Sequence, residues 1–367
     1  MRKFITLLLA LTLFTATTAC TDTKKETVQT ETVTITDQAG DTVTVPKNAD
    51  RIAVCGIMPL PSVISVFFDG AEKLVGIPPE SMTAAKNGLL GELFPEILTA
   101  ATSYASGQDV NAEELMKLNP DIVFYSADNK KMGELLKNSG FSAVGISANI
   151  HRYDCIKTLN SWLDLLGQIY PENSKGEKVS AYSQEIYNLI QERTKNLKDS
   201  ERKKVFFLFK YSESTIMTSG DNFFGDWWAE AVGALNVAKE LKGDNQQTVN
   251  MEQIYAWNPE MIFVTNFNTV TAEDIYNNTV GSYNWSGIDA VINKQVYKMP
   301  LGMYRSYTPG TDTPVTLLWM AKQVYPELFA DIDIIKETKD YYQKLFGVTL
   351  TDEQTEGIFN PSVSAGM

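Results

Sequence analysis

The sequence predicts an α/β protein of two similar lobes with a small-molecule cleft between them. Three observations predict it. Short apolar runs alternate with helical segments in two successive series. A stretch with helical periodicity, about 20 residues long, separates the two series. One segment is repeated, once in each series. With 367 residues the chain is also too long for a single core and fits two domains of ordinary size.

At the N-terminus, Arg2 and Lys3 precede an apolar run at 4–14 that only Thr6 and Thr12 interrupt. That length suits the hydrophobic region of a signal peptide and is too short to span a bilayer. Thr17-Thr18-Ala19-Cys20 then runs small residues into a cysteine, which resembles a bacterial lipobox, although Thr17 stands where leucine is usual. The expectation is a signal peptide at 1–19, lipidation of Cys20, and a polar tether at 20–30. An ordinary secretory signal cut nearby is the alternative. A single acyl chain binds a membrane marginally, so stable anchoring needs more than one.

The body follows in order. Segments 32–36 and 42–45 alternate Thr with Val or Ile, and Asp37-Gln38-Ala39-Gly40-Asp41 between them is turn chemistry, so a β-hairpin is expected. Strands are expected at 51–55, 73–77, 121–126 and 142–147, forming an N-terminal lobe over 31–172. A second series at 205–209, 214–218, 261–265 and 295–299 belongs to a C-terminal lobe over 200–358, with a tail at 359–367. Between them, within 173–199, Ser174 and Glu177 have capping-box spacing. Val179, Tyr182, Ile186, Leu189, Ile190 and Leu197 then recur at helical steps, which gives one rod roughly 30 Å long. A crossover helix within one sheet would show the same pattern; its place between two strand series favours a connector.

The repeat aligns 110–129 (VNAEELMKLNPDIVFYSADN) with 249–268 (VNMEQIYAWNPEMIFVTNFN) without a gap, with seven of twenty positions identical. Asn111 and Asn250 are N-caps, with Glu114 and Gln253 placed to complete capping boxes. Asn119-Pro120 and Asn258-Pro259 stop the helices. Two similar α/β lobes place a ligand between them.

Composition excludes other classes. Lys+Arg of 32 against Asp+Glu of 45 gives a net charge of −13, which disfavours nucleic acid. Three Cys and one His leave little for a zinc site or a disulfide scaffold. There is no G-x-S-x-G elbow, H-E-x-x-H motif or P-loop, which argues against an enzyme, although paired carboxylates stay open. The repeated cleft-forming unit argues against a purely structural lipoprotein.

Val33-Thr34-Ile35-Thr36-Asp37, Gly40 through Pro46 and Arg51-Ile52-Ala53-Val54 together resemble the N-terminal hairpin of solute-binding proteins of iron-complex ABC importers. Glu113 with Asn119-Pro120-Asp121, Glu252 with Asn258-Pro259-Glu260, the segments 231–237 and 285–297, and the C-terminal 317–329 fit the same family, so the resemblance spans about 31–358. It implies two Rossmann-like lobes joined by one long rigid α-helix, and because one stiff helix bends less than extended crossover strands, small lobe motion is expected. It implies capture of an iron complex, a ferric siderophore first, with haem, cobalamin or an oxyanion such as molybdate as alternatives. It also implies delivery to an ABC importer permease and its ATPase by a monomeric, membrane-anchored receptor outside the cytoplasm. No covalent group other than the N-terminal lipid is expected. In the family, the acidic residues matching Glu113 and Glu252 pair with arginines of the permease; as plain helix N-terminal acids they would also suit the macrodipole.

Ligands of α/β lobes sit beyond the carboxyl ends of strands. That rule nominates Met58, Tyr125, His151, Arg152, Tyr211, Trp228, Asn266, Arg305 and Tyr307. Arg152 and Arg305, one per lobe and flanked by Tyr153, Tyr304 and Tyr307, offer planar forks for carboxylates or oxyanions. His151, with Met58 or Tyr211, is a candidate axial ligand of haem iron. Met58 and Met303 also fit packing roles. Phe223, Phe224, Trp227 and Trp228 combine core positions with a face that can stack on a planar ligand. Cys55 and Cys155 are expected as buried free thiols, with a disulfide between them the alternative.

Overall fold

A computed structural model describes residues 31–366. The signal peptide, Cys20 lipidation and the whole tether fall on 1–30, outside the described residues. Strands β1 (Thr32–Thr36) and β2 (Thr42–Pro46) form the expected hairpin, with Thr32 opposite Pro46. Asp37 makes its turn: one carboxylate oxygen accepts the N–H groups of Ala39 (3.0 Å) and Asp41 (2.9 Å), while Gly40 takes φ +86°. The other oxygen accepts the N–H of Gly145 at 2.7 Å, so one buried aspartate also pins the hairpin to the first lobe.

The first lobe contains β3 (Ile52–Cys55), β4 (Leu74–Gly76), a short pair β5 (Ala105–Ser106) and β6 (Asp109–Val110), then β7 (Ile122–Ser126) and β8 (Ala143–Ile146). Its main sheet has the order β4-β3-β7-β8, all parallel. Around it lie α1 (Leu60–Phe68), α2 (Pro79–Asn87), α3 (Leu89–Leu93), α4 (Ala112–Lys117), α5 (Lys130–Asn138) and α6 (Cys155–Ile169). The second lobe contains β9 (Lys204–Leu208), β10 (Lys210–Ser212), β11 (Thr215–Ser219), β12 (Leu235–Asn236), β13 (Gln246–Val249), β14 (Met261–Val264) and β15 (Val296–Lys298). Its main sheet has the order β12-β9-β14-β15, again all parallel. The two sheets therefore have one topology, and the repeated strands β7 and β14 hold the same third place in separate sheets. Strands buried on both faces read as unbroken apolar runs, which is why IVFYS and MIFV were visible in the sequence.

One expected strand changes sheet. β11 pairs antiparallel with β10 and β13 in a separate three-stranded sheet. The two residues between β10 and β11 allow only a hairpin, since a parallel partner needs a crossover of a dozen or more residues.

Between the lobes runs α7 (Lys175–Thr194), 20 residues long, or about 30 Å. It packs on α6 of the first lobe and on α12 (Thr313–Val324), which follows the second sheet. Ser174 does not form the expected capping box; Asn173 does the capping, accepting the Lys175 N–H at 2.9 Å. The helix also stops before Leu197. Beyond α12 the chain returns. Tyr341, Tyr342 and Phe346 of α13 (Ile334–Phe346) bury themselves in the first lobe's core with Phe67 and Leu163.

The repeated helices keep their punctuation. Asn111 accepts the N–H groups of Glu113 and Glu114 at the start of α4. Asn250 and Gln253 cap each other reciprocally at the start of the second-lobe helix at Met251–Trp257. The first box is not completed, because Glu114 turns to Lys117 at 2.5 Å. Asn119 (φ +45°) and Asn258 (φ +42°) both take the left-handed turn that ends each helix before its proline.

Candidate functional site

A cavity of about 370 Å³ lies between the lobes. The first lobe contributes Gly56-Ile57-Met58-Pro59 after β3, Glu80 at the start of α2, and Ala148 after β8. The second contributes Lys210, Phe224, Phe267 after β14, and Tyr304, Arg305, Thr308 and Pro309 after β15. Most of these residues follow the carboxyl end of a parallel strand, as the α/β geometry requires. The walls are mainly apolar, and the charged groups are Glu80, Lys210 and Arg305.

Arg305 is the focus. Only 4% of it is exposed, and its Nε donates to the Ala365 carbonyl at 2.8 Å. Its guanidinium carbon lies 5.1 Å from the Phe267 ring centroid and 5.7 Å from that of Tyr304. Tyr304 is 3% exposed, and its hydroxyl has no hydrogen-bond partner among the described residues; the same holds for one carboxylate oxygen of Glu80. Burial pushes the Tyr304 hydroxyl pKa up to about 12, against the pull of Arg305, so it stays a donor. Buried polar atoms are normally paired, so unpaired ones at a cavity wall mark where a ligand or water is received.

The loop that carries Tyr304 and Arg305 is held from behind. Asp312, buried, accepts the N–H of Met303 at 2.7 Å, that of Tyr304 at 3.4 Å, and the Tyr342 hydroxyl. Burial raises its pKa to about 6. Gly302 must be glycine here: a Cβ would sit 2.4 Å from a carboxylate oxygen of Asp312. Asn266 holds the start of the loop, donating to the carbonyls of Met299 (2.8 Å) and Pro300 (2.9 Å).

Of the residues nominated from sequence, Met58 and Arg305 line the cavity together. Asn266 and Tyr307 stand behind it. Tyr307 is fully buried, its hydroxyl against Ser219 and its carbonyl accepting the Trp228 indole N–H at 2.9 Å. Trp228 is therefore core. Tyr125 packs against Gly133 and Lys137 and lies outside this cavity. Tyr211 is core beside Trp285, whose indole N–H donates to its hydroxyl at 2.9 Å. His151 is half-buried and Arg152 exposed (φ +51°), and neither lines the cavity. With Tyr211 in the core, no haem-ligand pair of His151 with Tyr211 forms, and no cluster of three or more His, Cys, Asp or Glu that could hold a metal exists among the described residues. Sequence places a residue at a strand end, turn or helix but not the direction of its side chain: Tyr125 and Tyr211 sit on strands whose side chains alternate between faces, Trp228 on a helix that turns it to the core, and His151 and Arg152 in a turn outside the cavity.

Phe224 lines the cavity, while Phe223 packs on Tyr153. Met303 packs in the first core. Cys55 and Cys155 are free, buried thiols. Glu113 and Glu252 are exposed at equivalent places, one per lobe. Glu80, Lys210, Phe267 and Asp312, and the Ala365 carbonyl, are not among the residues nominated from sequence. Glu80 and Lys210 follow strand ends, a signal that was available. Nothing local marks Asp312 or Ala365.

The profile of the periplasmic binding protein family matches residues 70–301. The molybdate-binding protein MolA of Haemophilus influenzae is 26% identical over 333 residues, covering 85% of this chain and 90% of that protein. An uncharacterized ABC transporter substrate-binding lipoprotein of Bacillus subtilis, YvrC, is 24% identical over 307 residues, covering 82% and 87%. Among solved structures, a periplasmic solute binding protein from Veillonella parvula superposes with a TM-score of 0.80 at 28% identity, covering 91% of this chain and 98% of that one.

Proposed function

The chain belongs to the periplasmic binding protein family, whose members are solute receptors of ABC importers, and we propose that its solute is a compact anion gripped by Arg305. One observation carries the reading: a buried guanidinium beside an unpartnered, buried tyrosine hydroxyl on the wall of an interlobe cavity. A guanidinium attracts an oxyanion or carboxylate and donates charge-assisted N–H bonds to it, and the protonated tyrosine is a further donor beside it. In a chain of net charge −13, such a cavity is a local positive focus. Its volume lies near the low end of the roughly 300–1,000 Å³ usual for ligand sites, which leaves room for an oxyanion together with its waters or for a larger carboxylate. The named ligand of the Haemophilus relative, molybdate, is of this class.

A ferric chelate is the second reading. Met58, Phe224, Phe267 and Pro309 give the cavity apolar walls, against which a siderophore's organic frame would pack while its carboxylates meet Arg305. Haem and cobalamin ask for the same walls with more volume. In both readings Cys20 bears the lipid that anchors a monomeric receptor, and Glu113 and Glu252 dock on the permease, which with its ATPase moves the released solute inward.

The test is titration of the protein with molybdate, tungstate, sulfate, ferric chelates and haem, read by tryptophan fluorescence and melting temperature. The expected result is saturable stabilisation by an oxyanion in the wild type and none in Arg305→Met. Stabilisation by a neutral chelate alone, unchanged in Arg305→Met, would refute the anion reading.

A further inference from the structure

The two repeated helices share a surface as well as a spacing. From Ala112 to Leu118 and from Met251 to Trp257, exposure matches position by position. Leu115 and Ile254 are fully buried anchors, and Glu113 and Glu252 face solvent. One turn further on, Met116 is 48% exposed and Tyr255 is 40% exposed. Seven large hydrophobic residues stand exposed among the described residues. Met116 and Tyr255 are the one pair among them separated by the repeat offset (255 − 116 = 139).

A single exposed methionine or tyrosine needs no explanation. Two lobes that agree at seven of twenty positions, yet both leave a large apolar side chain bare at the same place, do. The spacing of three residues sets each apolar side chain on the same helix face as its glutamate. Neither glutamate carboxylate has an ion-pair or hydrogen-bond partner among the described residues. The Tyr255 ring is braced where it stands, because its hydroxyl donates to the Asn284 carbonyl at 2.5 Å.

We propose that each lobe presents a two-part foot, a carboxylate beside an apolar side chain, and that the occupant of both feet is the importer's permease. Glu113 with Met116 would meet one half of it and Glu252 with Tyr255 the other. The proposal rests on the reading of this chain as an importer receptor and adds the apolar half of each contact. The complement is a pair of similar permease surfaces, each with a basic group beside an apolar depression. In such a contact the rim charges set encounter rate and orientation, and the desolvated apolar side chains set residence time. Methionine adapts to a partner surface while a braced tyrosine does not, so the two feet tolerate halves that differ in detail.

The experiment uses the full lipidated chain with its own permease and ATPase in liposomes. Docking affinity and stimulated ATP hydrolysis are measured at low and high salt, beside molybdate titration and melting temperature of the free receptor. Met116→Ser with Tyr255→Ser is expected to weaken docking by about tenfold or more, chiefly through faster dissociation, with the salt dependence kept. Glu113→Lys with Glu252→Lys is expected to abolish docking. Wild-type docking by the serine pair, with failure of the lysine pair, overturns the apolar half and leaves the receptor reading standing. Unchanged docking by both pairs overturns this surface altogether. Weaker docking by the serine pair together with a lowered melting temperature would show a structural role and also overturn it.

Discussion

Replacing Asp312 by asparagine tests the support behind the anion site. The carboxylate accepts from Met303 N–H, Tyr304 N–H and the Tyr342 hydroxyl. Asparagine keeps one acceptor oxygen, so one buried donor loses its partner, at a cost of about 1–3 kcal/mol. The second effect depends on pH. Burial raises the carboxyl from 3.8 to about 6, a differential of about 3 kcal/mol between its protonation states. Between those values the folded chain holds a proton that the unfolded chain has released, so rising pH favours unfolding. The stabilisation is full below about 3.8 and lost as pH passes about 6. Asparagine does not titrate. Urea unfolding of both proteins should therefore show the cost of Asp312→Asn falling by about 2–3 kcal/mol between about pH 4 and pH 7.5, ending near zero or stabilising. A cost that grows with pH would mean that the three donors hold Asp312 as an anion with a lowered pKa, and the reasoning would fail.

Arg305→Met removes the charged fork and should raise the solute dissociation constant about 10- to 100-fold by calorimetry, while Tyr304→Phe should raise it no more than about tenfold; equal effects would deny Arg305 its central place. Burial pushes the Cys55 thiol up to about 12 and Cys155 well above its usual value, so neither should react with a thiol reagent at pH 8 in the folded protein, and both should react in urea; fast labelling of native protein would contradict their burial. Asn250→Ala breaks a reciprocal capping box and should destabilise by about 1 kcal/mol or more, exceeding Asn111→Ala, whose box is half formed; the reverse order in urea midpoints would contradict the geometry.

Much of the frame was legible because it is written in short-range periodicity. The apolar runs of β3, β7, β9 and β14, the helical spacing of α7 and the asparagine punctuation at 111, 119, 250 and 258 each involve neighbours in the chain. The repeat carried this further, since equal segments at equal places implied equal lobes, and the two sheets do share one strand order. Legibility ended at side-chain direction. Tyr211, Trp228 and Tyr307 follow or border strand ends as expected, yet each turns into the core, where Trp285, the Tyr307 carbonyl and Ser219 respectively satisfy their polar atoms.

The sequence by itself determined the elements, their doubling and the chemistry on offer, an arginine among tyrosines in an acidic chain. Tertiary structure alone decided that Arg305 rather than Arg152 lines the cavity, that Asp312 and Ala365 hold its loop and its Nε, and that α13 closes the first lobe's core. The physical reason is range. Helix and strand signals come from residues a few positions apart, whereas the cavity is made by side chains and carbonyls from segments between 56 and 365, which meet only after both lobes have packed.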